Sequence, residues 1–251
     1  MTVTRDRVRR AFGHARDYDA HARIQRDVAR KLAARIAALG LPDAPRVLEI
    51  GCGTGFLTQA LLDERLSGAW LVTDIAPEMV DRCRARVAGQ AALTFDVLDG
   101  EHGELPAGPF DLICSSLAIQ WFDDAPAALR RLAGLLAPGG HLMVTTLGPA
   151  TFAQWGAAHA AEGLEPGTPP FAPAEVFAAL PTAEVKQETI TERYESARHF
   201  LQALKAIGAG TPNAAHRPLA PATLRRVLGR FDQSGCEVDY EVVTCHLRRD
   251  R

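Results

Sequence analysis

The chain has 251 residues, 47% of them hydrophobic and 23% charged, with 28 Lys and Arg against 30 Asp and Glu. That length and apolar content suit one large α/β domain with a sizeable core and exclude a chain disordered throughout. A net charge of −2 gives no global attraction to nucleic acid, so a polyanionic partner would have to meet a local basic patch.

Residues 1–20 are basic, with Arg5, Arg7, Arg9 and Arg10, and then bring Phe12, Tyr18 and Asp19 close together. They hold no apolar run that would make a signal peptide, and no later window approaches a membrane span, so a soluble cytoplasmic protein is expected. Over residues 19–39 the set Ile24, Val28, Leu32, Ile36 and Leu39 recurs at helical spacing, and Gly40 and Pro42 stop that helix. A buried strand is predicted over 46–50. The turn Gly51-Cys52-Gly53-Thr54-Gly55 follows, then a helix with Thr54 as its candidate cap, ending before Gly68.

Strand two, over 70–74, ends on Asp74, about 20 residues beyond the glycines, where a carboxylate can meet both hydroxyls of a ribose. Pro77 suits the first turn of the next helix. Strands are predicted over 92–97 and 110–115, a loop over 101–109 between them, a helix over 124–136, and a sharp turn over 136–140 into a fifth strand, 141–147. Strands alternating with helices predict a parallel sheet covered on both faces. Ligands of such sheets bind at the carboxyl ends of the strands, where Gly51–Gly55, Asp74 and Ser115 would gather.

Beyond Gly148 the rhythm changes. Helices are predicted over 151–162 and 173–180 with a loop over 163–170 between them, and β-rich runs over 184–194 and 237–249. Between those runs lie helices over 197–207 and 222–231 and a Gly/Pro-rich loop over 208–221. The two runs are expected to pair antiparallel at the sheet edge, with the helices as a cap over its ligand end.

Glycines let the turn over 51–55 approach a ligand closely, whether a phosphate, a ribose or an amino-acid carboxylate. The third glycine separates these options, because the dinucleotide fingerprint needs G-x-G-x-x-G and Phe56 occupies its last position. No Gly-Lys-Ser/Thr follows, which excludes a P-loop. Eight histidines lack H-x-x-x-H spacing and five cysteines lack C-x-x-C spacing, so metal or disulfide chemistry has little support. His14 and His21 could face a ligand, and as helix residues they read more readily as solvated.

Glu49-x-Gly51-x-Gly53-x-Gly55, Asp74, the run Asp99-Gly100-Glu101 and the turn Pro138-Gly139-Gly140 resemble the pattern of class I S-adenosylmethionine-dependent methyltransferases. Two further stretches, residues 12–25 and Ser115-Ser116-Leu117-Ala118-Ile119-Gln120-Trp121, resemble the malonyl-acyl-carrier-protein O-methyltransferases of biotin synthesis, as does Leu204-Lys205-Ala206-Ile207-Gly208-Ala209. Ser116 departs from the asparagine common there, and the loop 99–106 is slightly long.

The resemblance implies an α/β, Rossmann-like class I methyltransferase sheet, mostly parallel with an antiparallel edge strand, and a helical cap. It implies one methyltransferase domain over 1–251, divided into an N-terminal helical segment (1–40), a cofactor-binding core (41–148), a connection (149–195), the cap (196–232) and a C-terminal edge strand (233–251). The implied cofactor is S-adenosyl-L-methionine, held by Glu49, Gly51, Gly53, Gly55, Asp74, Ile75, Gly100 and Ser115, with Asp99, or alternatively Asp96, at the adenine amino group. The implied reaction esterifies the free carboxylate of a malonyl thioester, on acyl-carrier protein or coenzyme A, an early step towards biotin.

For that reaction Tyr18, Gln120 and Trp121 border the site of methyl delivery, and Arg198 or Lys205 orients the malonyl carboxylate. A basic dock for an acidic carrier would come from Arg5, Arg7, Arg9 and Arg10 or from Arg225, Arg226 and Arg230. Other readings are a methyltransferase for another small acid or natural product, and a non-catalytic assembly factor of the same fold.

Overall fold

The computed structural model describes residues 18–90, 92–210, 213 and 216–250. Arg5, Arg7, Arg9, Arg10, Phe12 and His14 lie outside the described residues. The seven strands run in the order β3-β2-β1-β4-β5-β7-β6. They are β1 (Arg46–Ile50), β2 (Ala69–Asp74), β3 (Leu93–Val97), β4 (Phe110–Ser116), β5 (Leu136–Leu147), β6 (Glu184–Arg193) and β7 (Glu237–Arg248). The first five pair in parallel. The chain goes outward from β1 to β2 and β3, then returns to the other side of β1 for β4. The carboxyl end of β1 is therefore a topological switch point, where open α/β sheets bind ligands.

The chain divides into two compact units. One comprises residues 23–146, 173–187 and 243–251, and the other the described residues of segments 1–22, 147–172 and 188–242. In the first, α2 (Arg23–Ala37) turns Ile24, Val28, Leu32 and Ile36 inward at helical spacing and packs on α3 (Phe56–Asp63). Their apolar faces share a core with Val47, Val72, Leu112 and Trp70. Every residue of β1 after Arg46 is buried, as a strand covered on both faces requires. The helix α4 (Pro77–Arg86) follows β2. The helix α5 (Ala125–Ala133) starts on Asp124, whose side chain accepts the Ala127 N–H at 3.0 Å.

The other unit holds α1 (Tyr18–His21), α6 (Ala153–Ala160), α8 (Ala197–Ala206) and α9 (Pro221–Gln233), with α7 (Ala174–Ala178) belonging to the first. Its centre is aromatic. Phe200 is wholly buried, with the rings of Phe152, Trp155, Tyr194 and Phe231 centred 5.2–5.7 Å away. The helices α6 and α8 both pack on α9, and α1 packs on α8.

Four local expectations change. The C-terminal strand β7 is not the edge of the sheet: it lies between β5 and β6, and β6 forms the edge. The helix predicted over 19–39 is broken at Ala22 into α1 and α2. Pro138-Gly139-Gly140 lies inside β5 rather than forming a turn before it. A register shift against β4 absorbs the glycines, and Gly139 N–H donates to the Arg249 carbonyl while Gly140 accepts from Arg249, so both are held as strand. The cap of α3 is Gly55, at φ 91°, and not Thr54. The pairing of β6 with β7 is antiparallel: Tyr194 N–H meets the Cys236 carbonyl at one end, and Thr182 Oγ1 meets the Arg248 carbonyl at the other.

Truncating Phe200 leaves a void that its stiff aromatic neighbours fill poorly. Phe200→Ala is expected to lower the free energy of unfolding by about 3–5 kcal/mol, read from urea titration; a change below roughly 1 kcal/mol would contradict this account of the aromatic centre.

Candidate functional site

At the switch point the glycine turn leaves β1 and folds back under its own hydrogen bonds. Cys52 N–H donates to the Thr73 carbonyl, Gly55 N–H to the Cys52 carbonyl, both at 2.9 Å, and Gly53 N–H to Asp74 Oδ2 at 2.9 Å. Those three donors are spent within the protein, so they do not form the row of N–H groups with which a phosphate loop grips an anion.

The glycines serve three different contacts. A Cβ on Gly51 would stand 2.4 Å from Ala118 Cβ, and one on Gly55 would stand 2.9 Å from Cys83 Sγ, whereas one on Gly53 would meet nothing within 4 Å. Gly51 therefore admits the chain leaving β4, and Gly55 rests on α4. Gly53 faces open space.

Asp74 closes the arrangement at the end of β2. Its Oδ1 accepts the Ala76 N–H at 2.9 Å while Oδ2 holds Gly53. It is 8% exposed. Burial raises its pKa above the ordinary carboxylate range, against the lowering effect of the Ala76 and Gly53 N–H groups. Ile75 follows it, half-buried.

Beneath the turn, Glu49 is 1% exposed and accepts a hydrogen bond from Thr58 Oγ1 at 2.8 Å. Burial first, then the neighbouring Cys83 thiol, push its pKa well above the usual value. Cys83 lies below its ordinary thiol range, chiefly through the hydrogen bond it shares with Cys52, which is itself raised.

The segment after β3 packs on the same strand ends. A Cβ on Gly100 would stand 2.5 Å from Ile50 Cγ2. Asp99 Oδ1 accepts the Glu101 and His102 N–H groups at 2.9 and 3.0 Å. Asp96 is exposed on β3, with its carboxylate bonded to the Val97 N–H. Glu101 is buried and staples this loop to the start of α5. Its two oxygens accept the Asp123 and Asp124 N–H groups at 2.9 and 2.6 Å, and Arg131 donates to its carbonyl.

Beyond β4, whose Cys114 pairs in register with Glu49, lies a short 3₁₀ turn, Ile119–Trp121. Gln120 Nε2 donates to the Leu117 carbonyl at 2.6 Å, with Leu117 itself at φ 49°. Ser115 Oγ and Gln120 Oε1 are buried without a hydrogen-bond partner. Burying an oxygen in that state costs roughly 1–3 kcal/mol, so the end of β4 is made to receive hydrogen bonds from something else. Trp121 is half-buried beside them.

The structure thus brings Glu49, Gly51, Gly53, Gly55, Asp74, Gly100 and Ser115 around the end of β1, with Ile75, Asp99, Gln120 and Trp121 on the segments leaving β2, β3 and β4. Tyr18, Arg198 and Lys205 belong to the other unit. There Arg198 and Lys205 are exposed on α8, on the far side from Ala197, Phe200, Ala203 and Leu204. The group that α8 turns towards α1 is His199, its ring 6.4 Å edge-on from that of His21, and its Nδ1 is buried without a hydrogen-bond partner. Arg226 and Arg230 on α9 both pair with Glu162, at 2.6 and 3.1 Å, and hold its carboxyl below the usual range, so part of that basic run is already countered.

Thr58, Cys83 and Arg86 escape a reading of the sequence alone, since no local pattern shows which strand ends they tie together, and Glu101, named there only within its run, has its tie to α5 decided by the fold. The helical period could have placed Thr58 on the inner face of α3, but its bond to Glu49 depends on the fold.

Residues 48–142 match a family described as a methyltransferase domain. Over 246 residues the chain is 44% identical to the biotin biosynthesis bifunctional protein BioCD of Bordetella avium, a match covering 97% of this chain and 52% of that one, so the chain spans about half the bifunctional relative's length. It is 40% identical over 246 residues to the malonyl-acyl-carrier-protein O-methyltransferase of Magnetococcus marinus, covering 94% of this chain and 90% of the relative. Among solved structures, the N-methyltransferase NodS of Bradyrhizobium japonicum, in complex with S-adenosyl-L-homocysteine, has the same fold. The TM-score is 0.52 at 17% identity, over 92% of this chain and 88% of that one.

Glu49 supplies a stability test. A carboxyl whose pKa is raised in the folded state binds more protons folded than unfolded between the two pKa values, so its contribution falls as pH rises through that window. Glu49→Gln removes the titration. In the ligand-free protein the variant is expected to gain thermal stability over wild type progressively as pH rises above the ordinary carboxylate value; a difference independent of pH would contradict the assignment.

Proposed function

The chain belongs to the malonyl-acyl-carrier-protein O-methyltransferase family and is a methyltransferase whose donor is S-adenosylmethionine, and from that premise we propose that the acceptor is the free carboxylate of a malonyl thioester. The observation that carries the site reading is the mismatch of donors and acceptors at the switch point. Three N–H groups of the glycine turn are satisfied internally, while Ser115 Oγ and Gln120 Oε1 are buried and unsatisfied. A site poor in donors and rich in oxygens suits a cationic ligand and rejects a pyrophosphate. S-adenosylmethionine fits this, because it carries a sulfonium and an ammonium and supplies an activated methyl group.

In this proposal Gly53 gives the cofactor close backbone approach, and Asp74 takes the ribose hydroxyls with the lone pairs left after binding Gly53 and Ala76. Ile75 and Gly100 border the adenine, and Asp99 accepts from its amino group; Asp96 points its carboxylate to its own strand. Ser115 and Gln120 accept from the ammonium end. Glu49 supports the turn from below through Thr58 rather than touching the ligand.

A malonyl carboxylate is ionised at neutral pH, so no residue has to remove a proton before it attacks. The protein's part is to align the acceptor oxygen with the methyl and to exclude water. Tyr18, Gln120 and Trp121 are assigned to that positioning, and Arg198 or Lys205 to holding the carboxylate. A tight bidentate grip would lower its nucleophilicity, which favours a single exposed cation.

The acyl carrier is proposed to be acyl-carrier protein or coenzyme A, and the product a methyl ester whose masked charge lets chain extension proceed. No helix among the described residues is long and apolar enough to cross a membrane.

The test is incubation with methyl-labelled S-adenosylmethionine and a panel of malonyl-carrier protein, malonyl-coenzyme A and free dicarboxylic acids, with products identified by mass. A malonyl methyl ester is expected; methylation confined to an unrelated acid would overturn the reading. At least one of Arg198→Met and Lys205→Met is expected to raise KM for the malonyl thioester about 10-fold. Unchanged kcat/KM in both would remove these residues from the acceptor's site.

A further inference from the structure

Arg86, in the last turn of α4, reaches back 32 positions to the glycine turn. Its Nε donates to the Thr54 carbonyl at 2.5 Å, and its Nη2 stands 3.5 Å from Thr54 Oγ1. The guanidinium lies over the Phe56 ring, 4.5 Å from its centroid, and Arg26 of α2 lies over the same ring at 5.1 Å. A Cβ on Gly55 would be 3.3 Å from Arg86 Cδ, so the side chain runs along the underside of the turn.

The bonds already described fix the peptides that carry Cys52, Gly53 and Gly55 N–H. The carbonyl of Thr54 belongs to the Thr54–Gly55 peptide, and its oxygen points to Arg86. Phe56 is the first residue of α3, the helix that also carries Thr58 to Glu49. One planar cation therefore grips the turn at its carbonyl and at the first ring of the helix leaving it. A carbonyl bonded to a guanidinium is a charge-assisted contact, and the flat stack on an aromatic ring is one that an ammonium reproduces poorly.

We propose that Arg86 is a positioning residue for the methyl donor. It holds the carbonyl side of the Thr54–Gly55 peptide, whose N–H bonds to Cys52, and so fixes the backbone that follows Gly53 and borders the cofactor. The inference rests on the reading that the turn receives S-adenosylmethionine. Phe56 then has a definite use. It occupies the place where a dinucleotide site has glycine, and it is the platform that orients the arginine.

The experiment uses the full chain and the variants Arg86→Lys, Arg86→Met and Arg86→Ala. Calorimetric titration with S-adenosylhomocysteine is expected to show Kd raised about 10- to 100-fold in the Lys and Met variants, the range for loss of one charge-assisted hydrogen bond. KM for the methyl donor should rise in step, with KM for the malonyl thioester and kcat at saturating donor within about twofold. Methylguanidinium added to Arg86→Ala should restore binding.

In the ligand-free variants, amides 51–56 should exchange with deuterium faster than in wild type. Unchanged Kd, unchanged exchange, or a parallel loss in both substrates' KM with no rescue by methylguanidinium would each overturn the proposal. If wild type itself failed to bind S-adenosylhomocysteine, the donor assignment would fail and the proposal with it, while the exchange data would still report whether the tether exists.

Discussion

Asp74 accepts the Gly53 N–H on one oxygen and the Ala76 N–H on the other, both at 2.9 Å, so one buried carboxylate fixes the turn after β1 and the bend from β2 into α4. The rest of the candidate site depends on that pair of hydrogen bonds. With Gly53 tied down, Gly51 sits against Ala118 and Gly55 against Cys83, which sets the distance from the turn to the segment leaving β4 and to the floor formed by α4. Burial disfavours the charge on Asp74, and the two N–H donors offset part of that cost. A ribose hydroxyl would offset more, so the carboxylate has physical reason to bind one.

The same logic explains why the site is made of separate small contacts instead of a catalytic dyad. The proposed transfer of an activated methyl to an ionised carboxylate demands little acid or base chemistry and much alignment. The protein accordingly spends its polar groups on holding its own frame: Thr58 on the Glu49 side chain, Glu101 on the backbone at the start of α5, Arg86 on the Thr54 carbonyl. Ser115 and Gln120 stand apart from this pattern, since each keeps a buried oxygen unsatisfied at the end of β4.

The strand-turn-helix rhythm was legible because its signals are local. An apolar run, three spaced glycines and an acidic residue at the end of β2 all lie between Val47 and Asp74. β1 matches the prediction, and β2, β3 and β4 differ by one residue at one end. Where local chemistry misled, a distant partner had decided the outcome. Gly139 and Gly140 are strand because Arg249 bonds to them, and Thr54 is not a cap because Arg86 holds its carbonyl. Arg226 and Arg230 looked like an open basic face until the fold brought Glu162 between them. Of the acceptor's site, the sequence offered residue types through resemblance, and the two cations named for it lie exposed on α8.

The switch point is proposed to receive a nucleoside through Asp74 and the open side of Gly53, with no grip on phosphate. Calorimetric titration of the wild-type protein with S-adenosylhomocysteine and with its 2′-deoxyribose counterpart tests this most directly. Binding of the parent compound is expected, with a Kd about 10- to 100-fold higher for the deoxy compound, as loss of a hydrogen bond to a buried carboxylate requires. Equal affinity for the two would contradict it.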